Sequence, residues 1–237
     1  MKTERQALVF VPGMMCDGRL FDPQIAHLSD ECDIWVADIG GKDSIESLAI
    51  ELLAEAPFRR FSLCGLSMGG IVAMEVARQA PQRVERLALL DTNHLADAAE
   101  RFEIRNRQIA AARHGDFERV VAEEMMPFYF AEQNRADPVL RTVVMEMARD
   151  LGADAFVNQS VALRDRKSAA ETIADYPGPV LVLCGEEDAL CPPARHEAIA
   201  ELCQNAWLSI LSGAGHLSTL ERPQAVNLEL SRWLATA

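Results

Sequence analysis

The stretch FSLCGLSMGGIVAMEVARQAP, residues 61–81, sets Ser67 among Gly65, Gly69 and Gly70. Residues 61–65 are mostly apolar and read as the end of a buried strand. Ile71, Met74 and Ala77 recur at helical spacing until Pro81. Gly65-x-Ser67-x-Gly69 therefore falls where a strand turns into a helix. A serine at such a turn is held in a strained backbone conformation with its hydroxyl above the sheet edge. Gly65 and Gly69 fill places where a side chain would clash, and Gly70 lets the helix start pack closely on the sheet. The helix N-terminus aims free N–H groups and the positive end of its dipole at the reacting oxygen. The chemistry this spacing suits is attack of the Ser67 hydroxyl on a carbonyl carbon.

A serine hydroxyl is a weak nucleophile and needs a base. Of the five histidines, His216 sits in LSGAGHLSTLERP, among small residues that suit a loop just after the last apolar run. A parallel sheet puts all such loops on one edge, so His216 can meet Ser67. His114 and His196 fall in polar helical stretches and read as surface residues. His27 reads as a buried structural histidine in a helix-like stretch. The base in turn wants a carboxylate to fix its tautomer. In LCGEEDALCPP, Asp188 lies in the loop after a strand, and its rivals are Glu186 and Glu187. For the oxyanion, the N–H of Met68 follows the nucleophile. A second donor is expected from VPGMMCDGRLFD, with Met14 preferred and Met15 behind it. Met15, Cys16, Met125, Phe128 and Leu217 are the candidate pocket residues.

Other groups have plainer readings. Asp91 and His94, in LLDTNH, lie at the same sheet edge, and a supporting or capping role is expected of them. Glu123 and Glu124 read as a solvated helix face. MMPFYF, residues 125–130, is either core or pocket roof. Cys64 and Cys184 lie in apolar runs, where a thiol behaves as a small hydrophobe.

The elements that must position these groups alternate along the chain. Apolar runs at 7–11, 33–38, 61–65, 86–91, 179–185 and 206–212 suit strands buried on both faces. Helical segments at 44–55, 68–79, 194–203 and 224–234 separate most of them. The expectation is an α/β fold with a mainly parallel sheet of about six strands flanked by helices. Residues 96–175 contain no good strand and read as a helical cap inserted after the fourth strand. The core is then 1–95 and 176–237.

The 237 residues are 49% hydrophobic, enough for one large domain, or one domain with an insertion. The formal charge of −13 argues against nucleic acid and anionic membranes as partners. No apolar run is long enough to span a bilayer, and the short N-terminal apolar run, broken by Pro12-Gly13, reads as a strand. Six scattered cysteines without zinc spacing predict reduced thiols, no metal site and a cytoplasmic protein.

VFVPG, the segment Phe21 to Gln24, CGLSMGGIVAMEVA, RVERLALLDT, PVLVLCGEEDALCPP and GAGHLSTLERPQAV together resemble the α/β-hydrolase superfamily. The likeness is to small capped carboxylesterases and 3-oxoadipate enol-lactonases. It implies the α/β-hydrolase fold, a helical cap, and a catalytic triad in the chain order Ser67, Asp188, His216. Two departures stand out. Many relatives carry His-Gly where this chain has Pro12-Gly13, and the leading hairpin of the family is expected to be absent or reduced. The function expected is serine hydrolysis of a small carboxylic ester through a covalent acyl-enzyme, without cofactor. The alternatives are an enol-lactone hydrolase, a C–C bond hydrolase or cofactor-free perhydrolase, and a hydrolase-like ligand sensor. Arg101, Arg105, Arg107, Arg113 and Arg119 have a spacing that mostly suits solvent; one pointing inward would favour a carboxylated substrate.

Overall fold

The computed structural model describes residues 5–236; the charged start at 1–4 lies outside the described residues. Six strands form one sheet: β1 (Gln6–Val11), β2 (Cys32–Val36), β3 (Phe61–Leu66), β4 (Val84–Leu90), β5 (Val180–Gly185) and β6 (Ala206–Leu211). Their order is β2-β1-β3-β4-β5-β6 and every pairing is parallel. Each expected run ends within two residues of the observed strand.

Side chains alternate across the sheet with the period of two that strand geometry dictates. Val9, Leu63, Leu87, Leu89 and Val182 enter one core with α2 (Ile45–Glu55) and α3 (Met68–Gln79). Leu8, Phe10, Cys64, Leu90 and Leu183 enter the other, with α1 (Asp22–Leu28) and α10 (Pro223–Leu234). Both faces are covered, which explains why the strands read as unbroken apolar runs.

Between β4 and β5 the chain is helical: α4 (Ala99–Arg113), α5 (Phe117–Arg119), a π-helical turn (Val120–Met125), α6 (Pro138–Arg164) and α7 (Ala170–Asp175). α6 breaks at Gly152, whose φ of 81° suits glycine. α7 packs against α3 and α8 (Pro193–Leu202), helices that flank the sheet. The last helical turn before α10 is α9 (Ser218–Glu221). Among the described residues no helix is long and apolar enough to cross a membrane.

Two histidine expectations are corrected. His196 is fully buried, because it faces inward from α8 toward the loop after β4. His27 is exposed on α1, with Ser231 Oγ 3.1 Å from its Nε2. His114 is exposed, as its polar surroundings suggest.

Candidate active site

The parallel sheet delivers the loops after β1, β3, β4, β5 and β6 to one edge. Ser67 joins β3 to α3 with φ 56° and ψ −117°, a backbone that disfavours a side chain. Its neighbours make room for it. A Cβ on Gly65 would lie 2.2 Å from Gly69 O, and one on Gly69 would lie 1.9 Å from Val11 O. Ser67 N–H donates to Leu90 O at 2.9 Å, and Thr92 Oγ1 donates to Ser67 O at 2.6 Å. The strained residue is thus tied to the end of β4 from both sides.

His216 Nε2 lies 2.8 Å from Ser67 Oγ, and its Nδ1 lies 2.8 and 3.0 Å from the two Asp188 oxygens. Asp188 Oδ1 also accepts the N–H groups of Leu190 and Cys191, at 2.9 and 2.8 Å, so the carboxylate cannot rotate freely. A proton on Nδ1 leaves Nε2 as acceptor for the serine hydroxyl. Burial alone would lower the His216 pKa. The charge of Asp188 and its hydrogen bond outweigh that and hold it above its ordinary value of 6.5. Glu186 and Glu187 make no bond to His216; Glu187 instead accepts Glu132 N–H at 2.9 Å.

Asp91, wholly buried with φ 46°, accepts Gly185 N–H at 3.0 Å and the Ser218 hydroxyl at 2.5 Å. It joins the ends of β4 and β5 to α9. Burial and the nearby Asp188 push its carboxyl well above the usual range. His94 is buried with Nδ1 unpartnered, and burial lowers its pKa.

Met68 is the first residue of α3, so its N–H has no intrahelical acceptor. Met14 N–H makes no hydrogen bond among the described residues. Both residues line a cavity of about 750 Å³ together with Ser67 and His216. Met15 does not line it, contrary to expectation. A left-handed backbone at Met15 (φ 56°) leaves Met14 and Cys16 at the cavity while Met15 is buried between them. Its N–H is also taken, by Gln159 Oε1 at 2.8 Å. Cys16, Met125, Phe128 and Leu217 line the cavity. MMPFYF divides: Met126 and Phe130 are core, Met125 and Phe128 face the cavity, and buried Tyr129 does both.

The segment after the π-turn is stitched to the loop carrying the histidine. His216 and Leu217 N–H groups donate to Tyr129 O at 2.9 and 3.2 Å. Glu221 accepts from Gly215 N at 2.7 Å and from Ala131 N at 2.8 Å.

Charged groups also reach the cavity. Arg105 and Arg166, 8% and 9% exposed, share the carboxylate of Asp97. Glu124 lines the cavity too, against the expectation of a solvated face; Arg107 and Arg119 pair with it, and Gln108, another lining residue, donates to it at 3.2 Å. Asp188, Cys191 and His216 bring a carboxylate, a thiol and an imidazole within 4.8 Å of one another. A metal there would have to break the Asp188–His216 hydrogen bond, so the donor set does not favour one.

A model of the alpha/beta hydrolase family matches residues 8–229. The chain belongs to that family. This alpha/beta hydrolase is 28% identical over 205 residues to a dihydrolipoyllysine-residue acetyltransferase component of an acetoin cleaving system from Pseudomonas putida. The match covers 82% of this chain and about half, 51%, of that longer relative. It is 22% identical to 3-oxoadipate enol-lactonase 2 of Acinetobacter baylyi, over 95% of this chain and 87% of that one. A solved thermophilic esterase from Thermogutta terrifontis, with malate bound, superposes with a TM-score of 0.88 at 26% identity, covering 97% of this hydrolase and 89% of the esterase.

Several residues around the hydrolase site escape sequence reasoning. Thr92 and His196 support Ser67, with His196 Nε2 accepting Thr92 N–H at 2.8 Å. Tyr129, Gln159 and Glu221 act through the fold of the loops. Only the fully assembled chain brings these positions together, and no local spacing marks them.

Proposed function

We propose that the chain is a serine hydrolase that cleaves a small carboxylic ester or related acyl substrate through a covalent acyl-enzyme. The observation that carries this reading is the hydrogen-bonded series Ser67 Oγ, His216 Nε2, His216 Nδ1, Asp188. In the mechanism it supports, His216 Nε2 takes the Ser67 proton as Oγ bonds to the substrate carbonyl carbon. Met14 and Met68 N–H groups receive the developing oxyanion. His216 then gives its proton to the leaving oxygen, and the alcohol departs. Water repeats the sequence on the acyl-enzyme: its proton passes to Nε2, its oxygen bonds to the carbonyl carbon, and Ser67 is released with that proton. Asp188 keeps His216 oriented and stabilises its charged form.

The residues at 96–175 serve as the cap in this reading. Met125 and Phe128 from it, with Met14, Ile71 and Leu217, give the pocket apolar walls for an acyl chain. The esterase and enol-lactonase among the relatives support an ester or lactone carbonyl as the target. The test is hydrolysis of p-nitrophenyl esters from acetate to octanoate by wild type and Ser67→Ala. Turnover lost in the variant supports the assignment, and the best chain length sizes the pocket. No turnover by wild type moves lactones, C–C substrates or a sensor role ahead. Turnover retained by the variant means another nucleophile.

A further inference from the structure

Arg105 is nine-tenths buried, yet it is only partly used. Its Nε donates to Asp97, while Nη1 and Nη2 make no hydrogen bond among the described residues. Arg105 lines the same cavity as Ser67. Asp97 does not need it for neutrality, because Arg166 Nη1 already pairs with Asp97 at 3.0 Å. Arg166 is further fixed by the Leu95 and Leu163 carbonyls, at 2.9 and 2.8 Å. Two buried cations thus share one carboxylate.

An uncompensated buried guanidinium is costly to fold around, and an apolar residue of similar volume would serve a purely structural role better. The surroundings strengthen the imbalance. Arg101 and Arg195 also line the cavity, and the one further acid there, Glu124, is occupied by its own cationic partners. This cationic cavity sits in a chain of formal charge −13, whose general field would repel an anion.

We propose that Arg105 is a specificity residue whose free Nη1 and Nη2 bind an anionic group, a carboxylate, on the substrate whose carbonyl Ser67 attacks. Asp97, itself paired with Arg166, positions it by holding its Nε edge, which leaves the planar fork open for a two-point contact. The substrate class is then a dicarboxylic half-ester or a carboxylated lactone, a polar head on an otherwise apolar acyl compound. The inference rests on the serine hydrolase reading for the catalytic step, but the binding of the anion can be measured without turnover.

Two arms test it. In the first, calorimetry follows glutarate and adipate binding to wild type, Arg105→Gln and Arg105→Lys. Binding to wild type that weakens at least about tenfold in Arg105→Gln and recovers in part in Arg105→Lys is expected. In the second, kcat/KM is compared for mono-p-nitrophenyl adipate against p-nitrophenyl hexanoate, and for para-acetoxybenzoate against phenyl acetate. These pairs place the charge on the acyl and the alcohol side in turn. Wild type should prefer the charged member of one pair by roughly 10- to 100-fold, and the ratio should collapse toward one in Arg105→Gln. Dicarboxylate binding without any ester turnover would sink the hydrolase reading and keep the anion site. No dicarboxylate binding and no charge preference in wild type, or equal ratios in all three proteins, would overturn the proposal.

Discussion

His196 offers a sharp test of how the nucleophile is supported. It is fully buried, and its Nε2 accepts Thr92 N–H at 2.8 Å; Thr92 in turn donates to the carbonyl of Ser67. An imidazole that accepts a hydrogen bond at Nε2 is neutral, and burial lowers its pKa from 6.5 to about 4. In the unfolded chain the ordinary value of 6.5 applies. Below that pH the unfolded state takes up a proton that the folded state refuses, so stability is lost as pH falls toward 4. At about 1.36 kcal/mol per pH unit, the full interval is worth roughly 3 kcal/mol. His196→Gln removes the titration while placing Oε1 where it can accept from Thr92. Urea unfolding at about pH 7, 5.5 and 4.5 should show wild type losing roughly 2–3 kcal/mol more than the variant by the most acidic point. Parallel pH dependences in the two proteins would refute the neutral, buried acceptor.

Three further outcomes follow from the same geometry. The acid limb of kcat/KM should have its midpoint above 6.5, since Asp188 raises His216 and only the neutral imidazole is a base; it should fall in Asp188→Asn, and a fixed midpoint would dismiss the coupling. Asp188→Asn should lower kcat by about 10³–10⁴, while the nearly isosteric Asp91→Asn stays within about tenfold of wild type; the reverse ranking in the same ester assay would make Asp91 the partner of His216. Gly70→Ala would put a methyl 2.6 Å from Thr92 Oγ1 and should cost about 1–3 kcal/mol, read as a lowered Tm; an unchanged Tm would mean that the start of α3 yields freely.

The sheet was legible because both of its faces are covered, which leaves apolar runs such as Leu8–Phe10 and Leu181–Leu183 without polar interruption. The meeting of Ser67, Asp188 and His216 was legible for a topological reason: parallel strands bring their following loops to one edge whatever lies between. Details set by a single torsion or a distant partner were not. A left-handed backbone at Met15 decides which of three consecutive side chains leave the cavity, and MMC carries no sign of it. His196 looks like a surface histidine until Thr92, 104 positions away, is packed against it. Arg105 lies in a helix studded with charge, and it pairs with Asp97, which Arg166, far along the chain, also pairs with at 3.0 Å.

The stitching at Tyr129 bears on how such a chain could diversify. Because Tyr129 O anchors the backbone of His216 and Leu217, and Glu221 binds both Gly215 and Ala131, the segment after the π-turn cannot be exchanged independently of the histidine loop. A different chain between β4 and β5 would have to supply groups equivalent to Tyr129 O and Ala131 N, or the histidine loop would lose these hydrogen bonds. Substitutions along α4 and α6 can therefore reshape the cavity wall without cutting these bonds, whereas substitutions beside Tyr129 and Ala131 reach the histidine loop directly.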